Sequence, residues 1–216
     1  MRSDHEVLIV FARFPEPGRT KTRLIPLLGP EGAVAAYRRL AEETARQVLR
    51  LDRPDLDRVV WIEPGSRMRE ASRWLGSSFR YRPQPTGDLG TRLTAAFDEA
   101  FGAGDARVVA IGTDCPGLDA PLLDRAFDLL ASSQAVLGPT EDGGYYLIGL
   151  PRPSPNVFRA IPWSTSEVLR ATLMGLDAAH ESVALLETLR DLDTPEDLAE
   201  LAVLWPALLG GIVAGT

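Results

Sequence analysis

The chain predicts an α/β fold with a mainly parallel sheet, and three observations carry that reading. Short, nearly continuous apolar runs at residues 6–12 and 106–112 have the length and β-branched character of strands buried on both faces. Between such runs lie stretches with apolar residues at helical spacing, opened by proline or small polar caps. Strands and helices alternate along the 216 residues, the order that sets helices against a parallel sheet.

Each element follows from a local signal. Residues 6–12 give the first strand, and a loop rich in Pro and Gly spans 13–29. Pro30 suits the first turn of a long amphipathic helix that runs to Leu49. A strand at 58–62, a helix at 66–75 and a short strand at 79–82 come next. The segment from Thr86 opens a helix to about Phe101, and the strongly apolar strand 106–112 follows. A helix is expected at 121–131, then strands at 135–138 and 144–150, with Asp142-Gly143 as a hairpin signal between them. After a Pro-rich connection, Ser164 or Thr165 is read as a helix cap, with Glu167 completing a capping box from Ser164. A short strand at 182–185 precedes Thr194-Pro195-Glu196-Asp197, where a cap, a proline and first-turn acids start the last helix. No repeat or long linker divides the chain, so residues 1–216 are read as one domain.

Composition narrows the function classes. With 45% hydrophobic and 25% charged residues the chain is an ordinary globular protein. A net charge of −7 argues against nucleic acid as a partner. The apolar run after the N-terminal six residues is too short for a signal peptide, and none is long enough to span a membrane; a cytoplasmic location is the expectation. Cys115 is the single cysteine, which excludes an internal disulfide and a cysteine-based zinc site. The apolar stretch 204–213 either packs on the domain or contributes to a homodimer, and the sequence leaves both open.

The chemistry-bearing residues lie just after strands, where open α/β sheets bind ligands. Of 23 basic residues only Lys21 is lysine, a compact point charge suited to a phosphate oxygen. Arg13, Arg19 and Arg23 surround it, and Gly18 is the one glycine between Arg13 and Leu24. The P-loop pattern fails, because Thr20 and Pro15 stand where it needs glycines, and the dinucleotide G-x-G-x-x-G is absent. Asp114 ends strand 106–112 and is read as a ligand for a divalent ion on substrate phosphates, or else as a turn cap before Pro116. Asp142 is a candidate acceptor-side contact or base, and Gly143 and Gly144 allow close backbone approach. Tyr145 and Tyr146 point to opposite faces, one toward the site and one into packing. Asp191 and Asp193, at spacing two, can share a cation.

Phe11-Ala-Arg-Phe-Pro-Glu-Pro-Gly-Arg-Thr-Lys-Thr-Arg-Leu, Gly87-Asp-Leu-Gly-Thr-Arg, Gly112-Thr-Asp-Cys-Pro-Gly-Leu, Gly138-Pro-Thr-Glu-Asp-Gly-Gly-Tyr-Tyr-Leu-Ile-Gly-Leu, Pro162-Trp-Ser-Thr and Asp191-Leu-Asp-Thr-Pro-Glu-Asp-Leu together resemble a bacterial family. Its members are called radical-SAM/selenodomain-associated transferase 1 or arsenosugar-biosynthesis glycosyltransferase. The resemblance implies the nucleotide-diphospho-sugar transferase superfamily and a single GT-A-like, Rossmann-like domain, with a mixed, mostly parallel sheet flanked by helices. It implies that Lys21, Thr22 and Arg23 meet nucleotide phosphates and that Gly87, Asp88, Gly90 and Arg92 lie near base or ribose. Gly143, Gly144, Tyr145, Trp163 and Ser164 are read as acceptor-side residues, and by the same likeness Asp114 with Asp193 holds Mg²⁺ or Mn²⁺, Asp191 being the other candidate second ligand. The departure is that this strand ends in one acid, where many GT-A enzymes have Asp-x-Asp. The expected function is a metal-dependent glycosyltransferase using a nucleotide-sugar and a small acceptor. The alternatives are a nucleotidyltransferase that releases pyrophosphate and a catalytically silent nucleotide-binding protein.

Overall fold

The computed structural model describes residues 5–104, 107–154 and 156–213. Seven strands form one sheet: β1 (Glu6–Arg13), β2 (Leu56–Glu63), β3 (Arg80–Pro83), β4 (Arg107–Ile111), β5 (Ala135–Pro139), β6 (Tyr145–Leu150) and β7 (Val183–Leu185). Their order is β3-β2-β1-β4-β6-β5-β7. β1 pairs in parallel with β2 and β4, β2 with β3, and β5 with β7. β6 alone runs antiparallel, against β4 and β5. The chain steps outward from β1 to β3 and returns to place β4 on the other side of β1, which makes the β1/β4 boundary the switch point of the sheet. The mixed, mostly parallel α/β fold expected from the alternating pattern is present.

Helices cover both faces. On one side α1 (Ile25–Leu49), α2 (Met68–Leu75) and α4 (Ala120–Leu129) pack on Leu8, Val10, Val60, Ile62 and Val109. On the other, α3 (Leu89–Gly102) and α5 (Val168–Ala178) pack on Val7, Ile9, Val59, Val108 and Ile148. Alternate residues of β1 thus enter opposite cores, which is why its sequence is a continuous apolar run. A third cluster joins Leu24, Ala36 and Leu40 to Leu192, Leu198 and Leu201, seating α6 (Pro195–Leu204) against α1. Among the described residues no helix is long and apolar enough to cross a membrane.

Most boundaries shift by one to three residues, and two local expectations change in kind. The loop expected to last until Gly29 already closes into helical turns from Thr22, because Leu24 is fully buried and draws the backbone down. Gly29, at φ 70°, breaks that turn from the main helix, which starts at Pro30 as expected. The capping box from Ser164 does not form. Ser164 is left-handed, and Thr165 Oγ1 donates to the Pro162 carbonyl while accepting from Glu167 N, so α5 begins only at Val168. The strand expected from Ala106 is described from Arg107; Ala106 itself lies outside the described residues.

Candidate active site

The loop after β1 folds back over the carboxyl end of the sheet. Thr20 is buried and its Oγ1 accepts from Glu16 N at 3.2 Å, and Leu24 anchors the far end in the core. Between them Lys21 adopts a left-handed conformation, φ 47° and ψ 49°. That turns its side chain inward, where it is only 7% exposed. Nζ lies 2.6 Å from Asp114 Oδ1 and 2.8 Å from Asp193 Oδ1. Burial works against the ammonium charge, but the two carboxylates outweigh it and hold the Lys21 pKa above the usual lysine range.

Each carboxylate is positioned by its own element. Asp114 stands just beyond β4, and its carbonyl accepts from Leu192 N at 2.9 Å, which ties the end of β4 to the segment before α6. The neighbouring Thr113 hydroxyl donates to the Tyr37 hydroxyl at 3.2 Å, and Arg13 N donates to the same oxygen at 2.8 Å. Burial, reinforced by Asp114, raises the Tyr37 pKa to about 12 and keeps the phenol neutral. Asp193 precedes a complete capping box: Thr194 Oγ1 accepts from Asp197 N, and Asp197 Oδ2 accepts from the backbone N of both Thr194 and Asp193.

The opposite wall is a second polar network. Glu63, at the end of β2, accepts from Arg13 Nη2 at 3.1 Å and from Arg92 Nη1 at 3.0 Å. Gln84, just past β3, accepts from Arg92 Nη1 and donates through Nε2 to the carbonyls of Ala12 and Trp61. Burial alone would raise the Glu63 pKa, yet the arginines hold it below the usual range. Together the walls enclose a cleft of about 640 Å³. Five cations line it, Arg13, Arg19, Lys21, Arg23 and Arg92, against the carboxylates of Glu63, Asp114 and Asp193. A protein of net charge −7 has therefore gathered an excess of positive charge at its switch point.

Of the sequence candidates, Arg13, Lys21, Thr22, Arg23, Arg92, Asp114, Tyr145, Ser164 and Asp193 line this cleft. Tyr146 lines it too: the tyrosines do alternate, Tyr146 facing the first core and Tyr145 the second, but both border the cleft. Gly18, Gly87, Asp88, Gly90, Asp142, Gly143, Gly144, Trp163 and Asp191 are not on its lining. Several of these have evident structural work. Asp88 caps α3, its Oδ1 accepting from Thr91 N and Oγ1. Gly90 lies under Trp163, where a Cβ would collide with the indole nitrogen. Asp142 Oδ1 accepts from the Thr140 hydroxyl at 2.6 Å and from Gly144 N at 2.9 Å, closing the β5–β6 hairpin. Gly143, at φ 89°, leaves no room for a Cβ beside the Ser166 carbonyl. Asp191 is half-buried, and burial followed by Asp142 and Asp193 lifts its pKa to about 6. Tyr37, Glu63, Gln84 and Thr113 escaped the sequence reading. Glu63 and Gln84 stand just after predicted strands and could have been found by that rule; Tyr37 sits inside a helix and carried no signal.

The charges at Asp114 and Asp193 can be tested against a divalent ion. Their Oδ1 atoms converge on one point, the position of Nζ, and the side chains are 45% and 42% exposed. Among the described residues no group of three or more His, Cys, Asp or Glu is arranged to hold a metal, so Asp191 does not complete a cage. Two open carboxylates fit Mg²⁺ or Mn²⁺ that takes its remaining ligands from phosphate and water.

Comparison with known proteins agrees with the geometry. A crystal structure of a candidate nucleotide-diphospho-sugar transferase from Desulfovibrio desulfuricans G20 is 32% identical, covers 94% of this chain and 87% of its own, and superimposes with a TM-score of 0.85. Two distant structures share the fold alone. One is 4-diphosphocytidyl-2C-methyl-D-erythritol synthase from Anaerococcus prevotii, 12% identical at TM-score 0.63 over 94% and 96% of the two chains. The other is a Mycobacterium tuberculosis H37Rv protein in complex with manganese, 16% identical at TM-score 0.51 over 92% and 98%. No curated protein matches the chain. The fold is thus that of nucleotide-sugar and nucleotidyl transferases. Residues 44–165, from the last turns of α1 to the turn before α5, match the model of the family described as "uncharacterized protein conserved in bacteria" (DUF2064), and the chain belongs to that family.

Proposed function

We propose that the chain is a transferase that binds a nucleoside diphosphate sugar in the cleft and passes the glycosyl group to a small acceptor. The observation that carries the reading is the set of five cations gathered at the switch point of an acidic protein. The 32% identity to a candidate nucleotide-diphospho-sugar transferase supports the donor class, and the sequence motifs favour the arsenosugar-type glycosyltransferases among its relatives.

In this reaction the acceptor oxygen forms a bond to the anomeric carbon as the bond to the diphosphate breaks. Negative charge grows on the departing diphosphate, and Lys21, Arg13 and Arg23 are the groups that meet it. Arg92, held by Glu63 and Gln84, orients the nucleoside end. Asp142 lies off the cleft lining, so as a base it serves only an acceptor bound outside the cleft, through Oδ2, since its Oδ1 is engaged in the hairpin turn. A divalent cation held by Asp114 and Asp193 supplies further neutralisation of the diphosphate when bound.

Nucleotidyl transfer is the second reading, favoured by the fold shared with a diphosphocytidyl synthase. A thermal-shift screen across nucleotide-sugars and nucleoside triphosphates, each with and without Mn²⁺, tests both, because a ligand of the folded state raises its stability. When the ligands that bind are then turned over with an acceptor, a nucleoside diphosphate product supports the first reading, and pyrophosphate release replaces it with the second. No shift with any nucleotide overturns both.

A further inference from the structure

Lys21 Nζ stands at the point where Asp114 and Asp193 converge, the same point a divalent cation would occupy. An ammonium and a metal ion cannot share that position, because two cations at contact distance repel and each carboxylate oxygen turns toward one of them. The lysine is almost fully buried there, whereas Arg23, the next cation, reaches Asp193 Oδ2 only at 3.8 Å. Leaving the pair also requires somewhere for the charge to go. The cleft offers further cations along its loop wall, so the missing partner is an anion.

We infer that Lys21 is a built-in counter-ion that competes with the divalent cation and gives way to it when a phosphate-bearing ligand draws the ammonium off the two carboxylates. The bare protein then excludes the metal, and metal and phosphate enter together. Linkage makes the effect mutual: whatever factor the phosphate ligand adds to metal affinity, the metal adds to phosphate affinity. The inference rests on the nucleotide reading only for the source of the phosphate; the competition itself rests on the three side chains.

Manganese binding to the protein without nucleotide, followed by the free Mn²⁺ signal in electron paramagnetic resonance, is the direct test. Lys21→Met is expected to bind Mn²⁺ at least about tenfold more tightly than wild type, the scale of removing one contacting charge. Adding Asp114→Asn is expected to abolish that gain. Arg23→Gln is expected to change binding far less. Equal affinity of Lys21→Met and wild type overturns the inference, as does an equal gain from Arg23→Gln, which would reduce the effect to bulk charge.

A second measurement needs no variant. Lys21 is the only lysine, so wild-type protein labelled with ¹³Cε-lysine gives one resonance from this side chain. Mg²⁺ alone is expected to leave it in place, and Mg²⁺ with inorganic pyrophosphate to move it. Calorimetric binding of Mg²⁺ with an unmoved lysine signal overturns the competition. If no nucleotide binds but Lys21→Met still tightens Mn²⁺, the transferase reading fails and the competition stands; nucleotide binding with unchanged Mn²⁺ affinity gives the reverse.

Discussion

Lys21→Arg keeps the charge and changes the shape, which isolates what the ammonium does. The guanidinium is planar and larger than a site that leaves the lysine 7% exposed between two carboxylates. Nucleotide affinity, measured by calorimetry, is expected to fall at least about tenfold, equivalent to about 1.4 kcal/mol; unchanged affinity would remove Lys21 from the phosphate site. Asp88 offers the contrasting case. It sits in a motif that reads as nucleotide-binding, yet its side chain caps α3. Asp88→Ala is expected to cost about 1 kcal/mol in chemical denaturation with nucleotide affinity intact, and a large loss of affinity with unchanged stability would restore the ligand role. The sequence made Lys21 and Asp114 legible because both follow strands. Gly90 was opaque because the partner that demands its missing side chain, Trp163, lies 73 residues away and packs from a loop without periodicity.

Among the elements, the strand–helix order could be read closely, since buried parallel strands are apolar on both faces and helices repeat at 3.6 residues. The loop before Pro30 was harder, as one buried leucine, Leu24, decides where it turns helical. The start of α5 escaped because Thr165 spends its hydroxyl on a local turn. The start of α6 was legible from its cap, and there the cap does more than begin a helix. Asp197 Oδ2 holds the backbone of Asp193 and Thr194 in place. Thr194→Ala is expected to destabilise the protein by about 1 kcal/mol and also to weaken Mn²⁺ and nucleotide binding through Asp193. Melting and calorimetry read the two effects; lost stability with both affinities unchanged would separate the cap from the site.

At the scale of the molecule, one ion-pair hub lies far from the cleft. Arg53 donates to both oxygens of the buried Glu6, to Asp124 and to Asp128, and its guanidinium lies 5.1 Å from the Phe127 ring centre. It joins the start of β1 to α4 across the first core. Burial opposes its charge, but Asp128, Glu6 and Asp124 hold its pKa above the ordinary arginine range. Among the described residues Arg53→Ala leaves Glu6 with Arg107 and is expected to cost about 3 kcal/mol in urea unfolding, with nucleotide affinity of the folded fraction unchanged. A cost below about 1 kcal/mol would mark the hub as an ordinary surface pair.

The bond from Leu192 N to the Asp114 carbonyl joins parts of the chain that are made far apart in time. Lys21 and the strands β1 to β6 leave the ribosome well before Asp193, while β7 comes only just ahead of it. A growing chain therefore has the cleft arginines and most of its sheet while the carboxylate pair is still half missing. Those six strands can pair through apolar packing first, and the carboxylate pair around Lys21 is completed only once Asp193 has emerged.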